Sequence, residues 1–185
     1  MIEVYDNLMS EKWMSDYYKL HFDDFAWYLR EWTINENYDP PLNVKVDLPI
    51  RDTNQFIHIF WTNDGSNSQY SHIALQVVNR VMEHTGITYS ANVRVKSNYL
   101  MSIKRSKDTI QEPHQDDDTG TMVSMIYYLH DCDGDTVFFN KDGSLMDRVS
   151  PKRGRIAVFD SDIIHAAQNP VKNDFRVITN YVVKK

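Results

Sequence analysis

The sequence predicts a mainly β fold with flanking helices, a β-sandwich or jelly roll. Short segments rich in β-branched and aromatic residues fill most of the chain after residue 53, broken by turn dipeptides such as Asp133-Gly134 and Asp142-Gly143. Only two segments carry helical periodicity, and both precede residue 90. Early helices followed by many strands fit two packed sheets with helices outside. At 185 residues, with 42% hydrophobic and 25% charged residues, the chain is read as one soluble globular domain, residues 1–185. Residues 1–90 form a helical lead-in and residues 91–185 the β core.

The first helix is expected from about Glu11 to Trp32, because Met14, Tyr17, Tyr18, Phe25, Tyr28, Leu29 and Trp32 recur at three- and four-residue spacings. Ser10 is placed to cap it. A proline-rich extended connection (Pro40, Pro41, Pro49) follows. The second helix is expected from near Ser68 to His84, with Ala74, Val77 and Val81 on one face and Gly86 as a left-handed cap. Strands are then expected at Asn54–Thr62, Ile87–Ile103, Thr121–Leu129, Thr136–Asn140, Leu145–Ser150, Arg155–Asp160 and Phe175–Val183, with Lys141–Ser144 closing a hairpin.

Composition excludes several function classes. The net charge of −6, without a Lys/Arg block, argues against nucleic acid as a partner. Cys132 is the lone cysteine, so no internal disulfide forms and a reducing compartment is expected. The first ten residues lack a basic-then-apolar pattern, so no signal peptide is expected. With no run long enough to span a bilayer, the expected location is the cytoplasm. Oligomeric state is not encoded legibly.

Chemistry concentrates in three late groups: His114-Gln115-Asp116, His165 and Arg176. Two imidazoles and one carboxylate are the set that binds non-haem Fe(II) on one face and leaves the opposite positions open. Arg176, eleven residues after His165, could hold the far carboxylate of a 2-oxoacid through a bidentate fork. An HxD triplet alone means little, since seven His and twenty Asp make about one by chance. His21-Phe22-Asp23 is such a triplet inside the first helix, where residues two apart point to different sides, and is assigned to structure. The second triplet instead follows Pro113 and precedes a polar loop, at what reads as a strand mouth. In the last strand Arg176 shares a face with Ile178 and Asn180. His58 reads as a packed strand residue, His72 and His84 as solvent-facing, and His130 as a strand end.

From roughly Val93 to Val183 the chain resembles the Fe(II)/2-oxoglutarate dioxygenases of the prolyl 4-hydroxylase type. The matching pieces are Pro113–Asp116, Ser124–Leu129, Gly134–Phe138, Pro151–Phe159, His165 and Arg176, in that order. The resemblance implies a double-stranded β-helix, a cupin-like jelly roll with the metal at its mouth. It carries over His114, Asp116 and His165 as iron ligands and Arg176 as the anchor for 2-oxoglutarate. It also places Tyr128, Ser124 and Tyr99 in the co-substrate pocket, although residues 103–112 leave the register of Tyr99 open. Implied cofactors are Fe(II), 2-oxoglutarate and O2, with ascorbate as an auxiliary reductant. The implied reaction hydroxylates a C–H bond of a peptidyl proline, another peptide or a small molecule, and releases succinate and CO2. A carboxylate at position 116 argues against halogenation, which needs that place for chloride. The polar stretch 103–112 suggests a flap carrying Lys104, Arg105 or Lys107. Competing readings are another cupin-type metalloenzyme and a non-catalytic β-sandwich binding module.

Overall fold

A computed structural model describes residues 2–31, 42, 44–103 and 109–185. In chain order the elements are β1 (Ile2–Tyr5), α1 (Glu11–Asp23), β2 (Tyr28–Arg30), β3 (Gln55–Thr62), β4 (Gly65–Ser66), α2 (Ser71–Ala74), α3 (Gln76–Thr85), β5 (Ala91–Met101), β6 (Met122–Tyr128), β7 (Thr136–Phe139), β8 (Leu145–Val149), β9 (Ile156–Asp160), β10 (Ile164–Ala167) and β11 (Phe175–Lys184). They form a major antiparallel sheet of order β1-β9-β6-β11-β5-β3-β2, with β4 paired to β3, and a minor sheet of order β10-β7-β8. The architecture is the expected double-stranded β-helix. No described helix is long and apolar enough to cross a membrane.

Strand alternation divides the interior in two. On one face of the major sheet Val95, Met125, Tyr127, Val177, Tyr181 and Val183 pack with Met14, Tyr17 and Leu20 of α1 and with Val77 and Val81 of α3. On the other face Ile126, Tyr128, Ala157, Phe159 and Ile178 meet Phe138 of the minor sheet. Burying a large apolar side chain is worth about 1.5–3 kcal/mol, so both layers hold the cleft walls firmly.

Ser10 does cap α1, accepting from the Trp13 amide at 3.2 Å, and Gly86 ends α3 with φ 71°. The first helix is shorter than its periodicity suggests. It stops at Asp23, where the Trp27 indole donates to the His21 carbonyl at 2.9 Å and takes one of its last acceptors. Tyr28 and Leu29, counted as helical, lie in β2 and are more than half exposed. The second helix breaks at Leu75 into α2 and α3. The strand expected from Ile87 begins at Ala91. Strands β1, β2, β4 and β10, of two to four residues, were not expected as elements.

Candidate metal centre

The two histidines meet because their backbones pair. The His114 amide donates to the His165 carbonyl and the His165 amide to the His114 carbonyl, both at 2.9 Å. This isolated bridge joins the segment after Pro113 to β10 and brings the imidazole centroids within 4.5 Å. The Asp116 and Asp117 amides both donate to the Ser161 carbonyl, at 3.0 and 3.3 Å, turning the Asp116 side chain inward. One ligand atom from each of His114, Asp116 and His165 then lies within 4.8 Å of the other two. His165 Nε2 and Asp116 Oδ2 are 3.7 Å apart.

The tautomers follow from the partners. His114 Nδ1 contacts the Glu112 carbonyl at 3.2 Å and His165 Nδ1 the Ile163 carbonyl at 2.9 Å. A carbonyl only accepts, so each Nδ1 carries a proton and each Nε2 is the nitrogen left to face a metal ion. Burial, with His165 adding to it, pushes the His114 pKa down to about 3. Burial alone would raise the Asp116 pKa, but the Arg94 charge, then His165 and His114, hold it well below the usual carboxylate range.

Asp116 is held on both oxygens. Oδ2 accepts from Ser124 Oγ at 2.6 Å and from Asn180 Nδ2 at 3.1 Å, and Oδ1 accepts from the Arg94 guanidinium. Ser124 also touches Ser161 Oγ at 2.8 Å. A carboxylate cannot donate, so Ser124 gives its proton to Asp116 and Ser161 gives its own to Ser124.

The three ligands open onto a cleft between the sheets, lined further by Gln55, Asn98, Ile126, Thr136, Arg176, Ile178 and Asn180. Arg176 is 3% exposed. Its Nε donates to the Gly134 carbonyl at 2.7 Å and an Nη to Thr136 Oγ1 at 2.8 Å. The guanidinium carbon lies 5.8 Å from the Tyr128 ring centroid. Among the described residues no carboxylate forms an ion pair with Arg176. Burial accordingly pulls its pKa below the usual guanidinium value.

Three residues expected in the co-substrate pocket are not among those that line the cleft. Tyr128 is fully buried, with its hydroxyl 2.7 Å from Thr136 Oγ1 and its ring beside the Arg176 guanidinium. Ser124 lies under Asp116 and not on the cleft wall. Tyr99 is on the opposite face of β5, because alternation turns Asn98 and Leu100 to the cleft; it stacks on Phe175 at 5.2 Å and meets Trp27 edge-on. Thr136, Asn180, Asn98, Gln55 and Arg94 were not singled out from the sequence as site residues. Only Asn180 left a signal, through its shared face with Arg176. Residues 104–108 of the suggested flap, with Lys104, Arg105 and Lys107, lie outside the described residues.

The remaining histidines are structural. His21 is fully buried: its Nδ1 donates to the Tyr17 carbonyl at 2.7 Å and its Nε2 contacts Ser97 Oγ at 2.7 Å. His58 stacks on Phe25 at 3.9 Å, His72 and His84 are exposed, and His130 packs on Phe175 on the helical side. Cys132 is half-buried, with its sulfur near the Phe175 carbonyl.

The sequence profile of the 2OG-Fe(II) oxygenase superfamily matches residues 100–183. No curated protein sequence matches the chain. Among solved structures, the non-heme alpha ketoglutarate dependent epimerase SnoN of nogalamycin biosynthesis aligns with a TM-score of 0.65 at 11% identity, covering 100% of this chain and 78% of that one. A Pseudomonas putida prolyl-4-hydroxylase aligns at 0.58 and 13% identity, over 100% of this chain and 92% of its own. A Trichoplax adhaerens prolyl hydroxylase, solved with a hypoxia inducible factor peptide fragment, aligns at 0.62 and 12%, over 99% and 83%. At these identities the structural likeness is one of fold.

Proposed function

We propose that this chain, similar in sequence over residues 100–183 and in fold over its length to the 2OG-Fe(II) oxygenases, is an Fe(II)- and 2-oxoglutarate-dependent dioxygenase. In this reading residues 1–185 form one oxygenase domain, with the helical lead-in packed behind the β core. His114 and His165 through Nε2, and Asp116 through a carboxylate oxygen, would hold the iron. Two imidazoles whose Nδ1 atoms are committed to carbonyls, beside an ionised carboxylate, suit that ion. Bound iron with 2-oxoglutarate supplies oxidative decarboxylation and oxygen insertion, with release of succinate and CO2.

One observation carries the reading. Arg176 is a buried cation without a carboxylate partner among the described residues, on the same cleft as the three ligands. Asp135 acts on this charge without forming an ion pair with it; a buried cation with no paired carboxylate is costly, and a dicarboxylate with one end toward the metal and the other on Arg176 would offset it. Gly134 and Thr136 fix two guanidinium donors and so orient the remaining ones. A cupin-type metalloenzyme or a binding module leaves this arginine without a task.

The primary substrate is the finer question. Asn180 must direct Nδ2 to Asp116, because a carboxylate only accepts; its Oδ1 is then a buried acceptor with no partner. Asn98 Oδ1, on the same cleft, is likewise buried and unpartnered. Neither oxygen is open to the cleft, so this pair does not select the substrate. Hydroxylation of a C–H bond of a peptidyl proline, another peptide or a small molecule is the reaction proposed, in keeping with solved structures of this fold that include a prolyl hydroxylase with a peptide fragment and an epimerase of nogalamycin biosynthesis.

The test is an anaerobic titration of Fe(II) and 2-oxoglutarate, followed by succinate assays. A weak visible charge-transfer band should form with wild-type protein and be absent in His114→Ala. Arg176→Met should raise the KM for 2-oxoglutarate about 10- to 100-fold, the scale of a lost charge-assisted contact. No band with the wild-type protein, or a KM indifferent to Arg176→Met, sinks the proposal.

A further inference from the structure

We infer that Arg94 is a positioning residue: it withholds one oxygen of Asp116 from the metal, and so limits both how tightly the ion binds and how many of its positions the protein fills. The inference rests on the metal-site reading above.

Arg94 lies on β5, opposite Val182 of β11. Its guanidinium pairs with Asp116 Oδ1, in an ion pair whose carboxylate side chain is 1% exposed and whose arginine side chain is 31% exposed. The other oxygen, Oδ2, takes the Ser124 and Asn180 bonds and faces His165 Nε2. Oδ2 is therefore the oxygen on the imidazole side, and Oδ1 is committed to the cation. Arg94 Nε is buried without a partner among the described residues.

Two consequences follow. An octahedral ion bound by two imidazoles and one carboxylate oxygen keeps three positions open, enough for a chelating 2-oxoacid and one further ligand. If both Asp116 oxygens bound, only two would remain. Pairing Oδ1 with Arg94 preserves the third. A guanidinium this near also opposes a divalent cation, an effect reduced but not removed by its partial exposure. Removing Arg94 should therefore strengthen metal binding. Simple damage to the site would weaken it.

The experiment is calorimetric titration of Mn(II) into metal-free protein, for wild type, Arg94→Met, Arg94→Gln and Arg94→Lys, each checked for fold by circular dichroism. The expected result is Mn(II) binding about tenfold tighter in the Met and Gln variants and near wild type in the Lys variant. The Mn(II)-loaded Met and Gln variants should also bind 2-oxoglutarate more weakly than wild type, because the freed carboxylate oxygen takes its place. Mn(II) affinity equal to or below wild type in whichever of the Met and Gln variants folds overturns the inference. Wild-type protein that binds no Mn(II) overturns the metal-site reading, and this inference with it.

Discussion

Acid should weaken this fold through His21, by an amount that can be worked out. His21 Nδ1 must donate to the Tyr17 carbonyl, so Nε2 is an acceptor and Ser97 Oγ donates to it. Ser97 then accepts from Thr179 Oγ1 at 2.7 Å, and Thr179 accepts from the Tyr17 hydroxyl at 3.0 Å. Ser97 and Thr179 each give one proton and take one, and no place is left for a second proton on the ring. The rings of Phe25, Trp27 and Phe60 enclose it, with Tyr17 and His58 as the titratable rings close by. Burial pushes the His21 pKa down to about 3. In the unfolded chain it returns to about 6.5. Below that value the unfolded state binds a proton that the folded state refuses, so stability falls as pH falls, by about 1.4 kcal/mol per unit between pH 6.5 and 3. Between pH 7 and 5 the loss from this one ring is about 2 kcal/mol. His21→Gln removes the titration. At pH 7 the variant should be less stable by about 1–3 kcal/mol, for its broken bonds; at pH 5 that gap should shrink by about 2 kcal/mol. Urea unfolding of metal-free protein measures both, and the other histidines cancel in the comparison. A gap that stays constant between pH 7 and 5 would refute the assignment of His21 as a buried neutral ring.

Two further outcomes are expected. In Gly134→Ala the new Cβ would stand 2.6 Å from the Gln168 carbonyl oxygen and 3.1 Å from Arg176 Cδ, so the variant should lose about 1–3 kcal/mol in thermal or urea unfolding and raise the 2-oxoglutarate KM by displacing the guanidinium. Ser124→Ala removes a donor to Asp116 Oδ2 and a partner of Ser161; Mn(II) affinity should fall about tenfold or more in calorimetry, with little change in the far-ultraviolet circular dichroism.

The longer strands were legible because each alternates a buried layer with a second surface, as in Val177, Thr179 and Tyr181 against Arg176, Ile178 and Asn180. The metal-ligand candidates were legible because an ordered series of matching segments surrounds them and a proline sets the second triplet apart from the chance one in α1. What escaped depends on distant pairing. Strand β10, which carries His165, has only four residues and shows no periodicity of its own; it exists through its ladder with β7. Thr136 becomes a cleft residue only when that ladder sets it beside Arg176. The direction of Tyr99 hung on the register of β5, where a shift of one residue exchanges the two faces. Trp27 ended α1 through a single indole bond that no helical pattern encodes.

Strand β11 lies between β5 and β6 in space, although it follows both in sequence by many residues. Until residues 175–184 have left the ribosome, β5-β3-β2 and β6-β9-β1 are separate half-sheets with unpaired inner edges. Nascent chains stalled before that point should therefore be open to proteases and chaperones, and a stop codon there should yield no partly working protein.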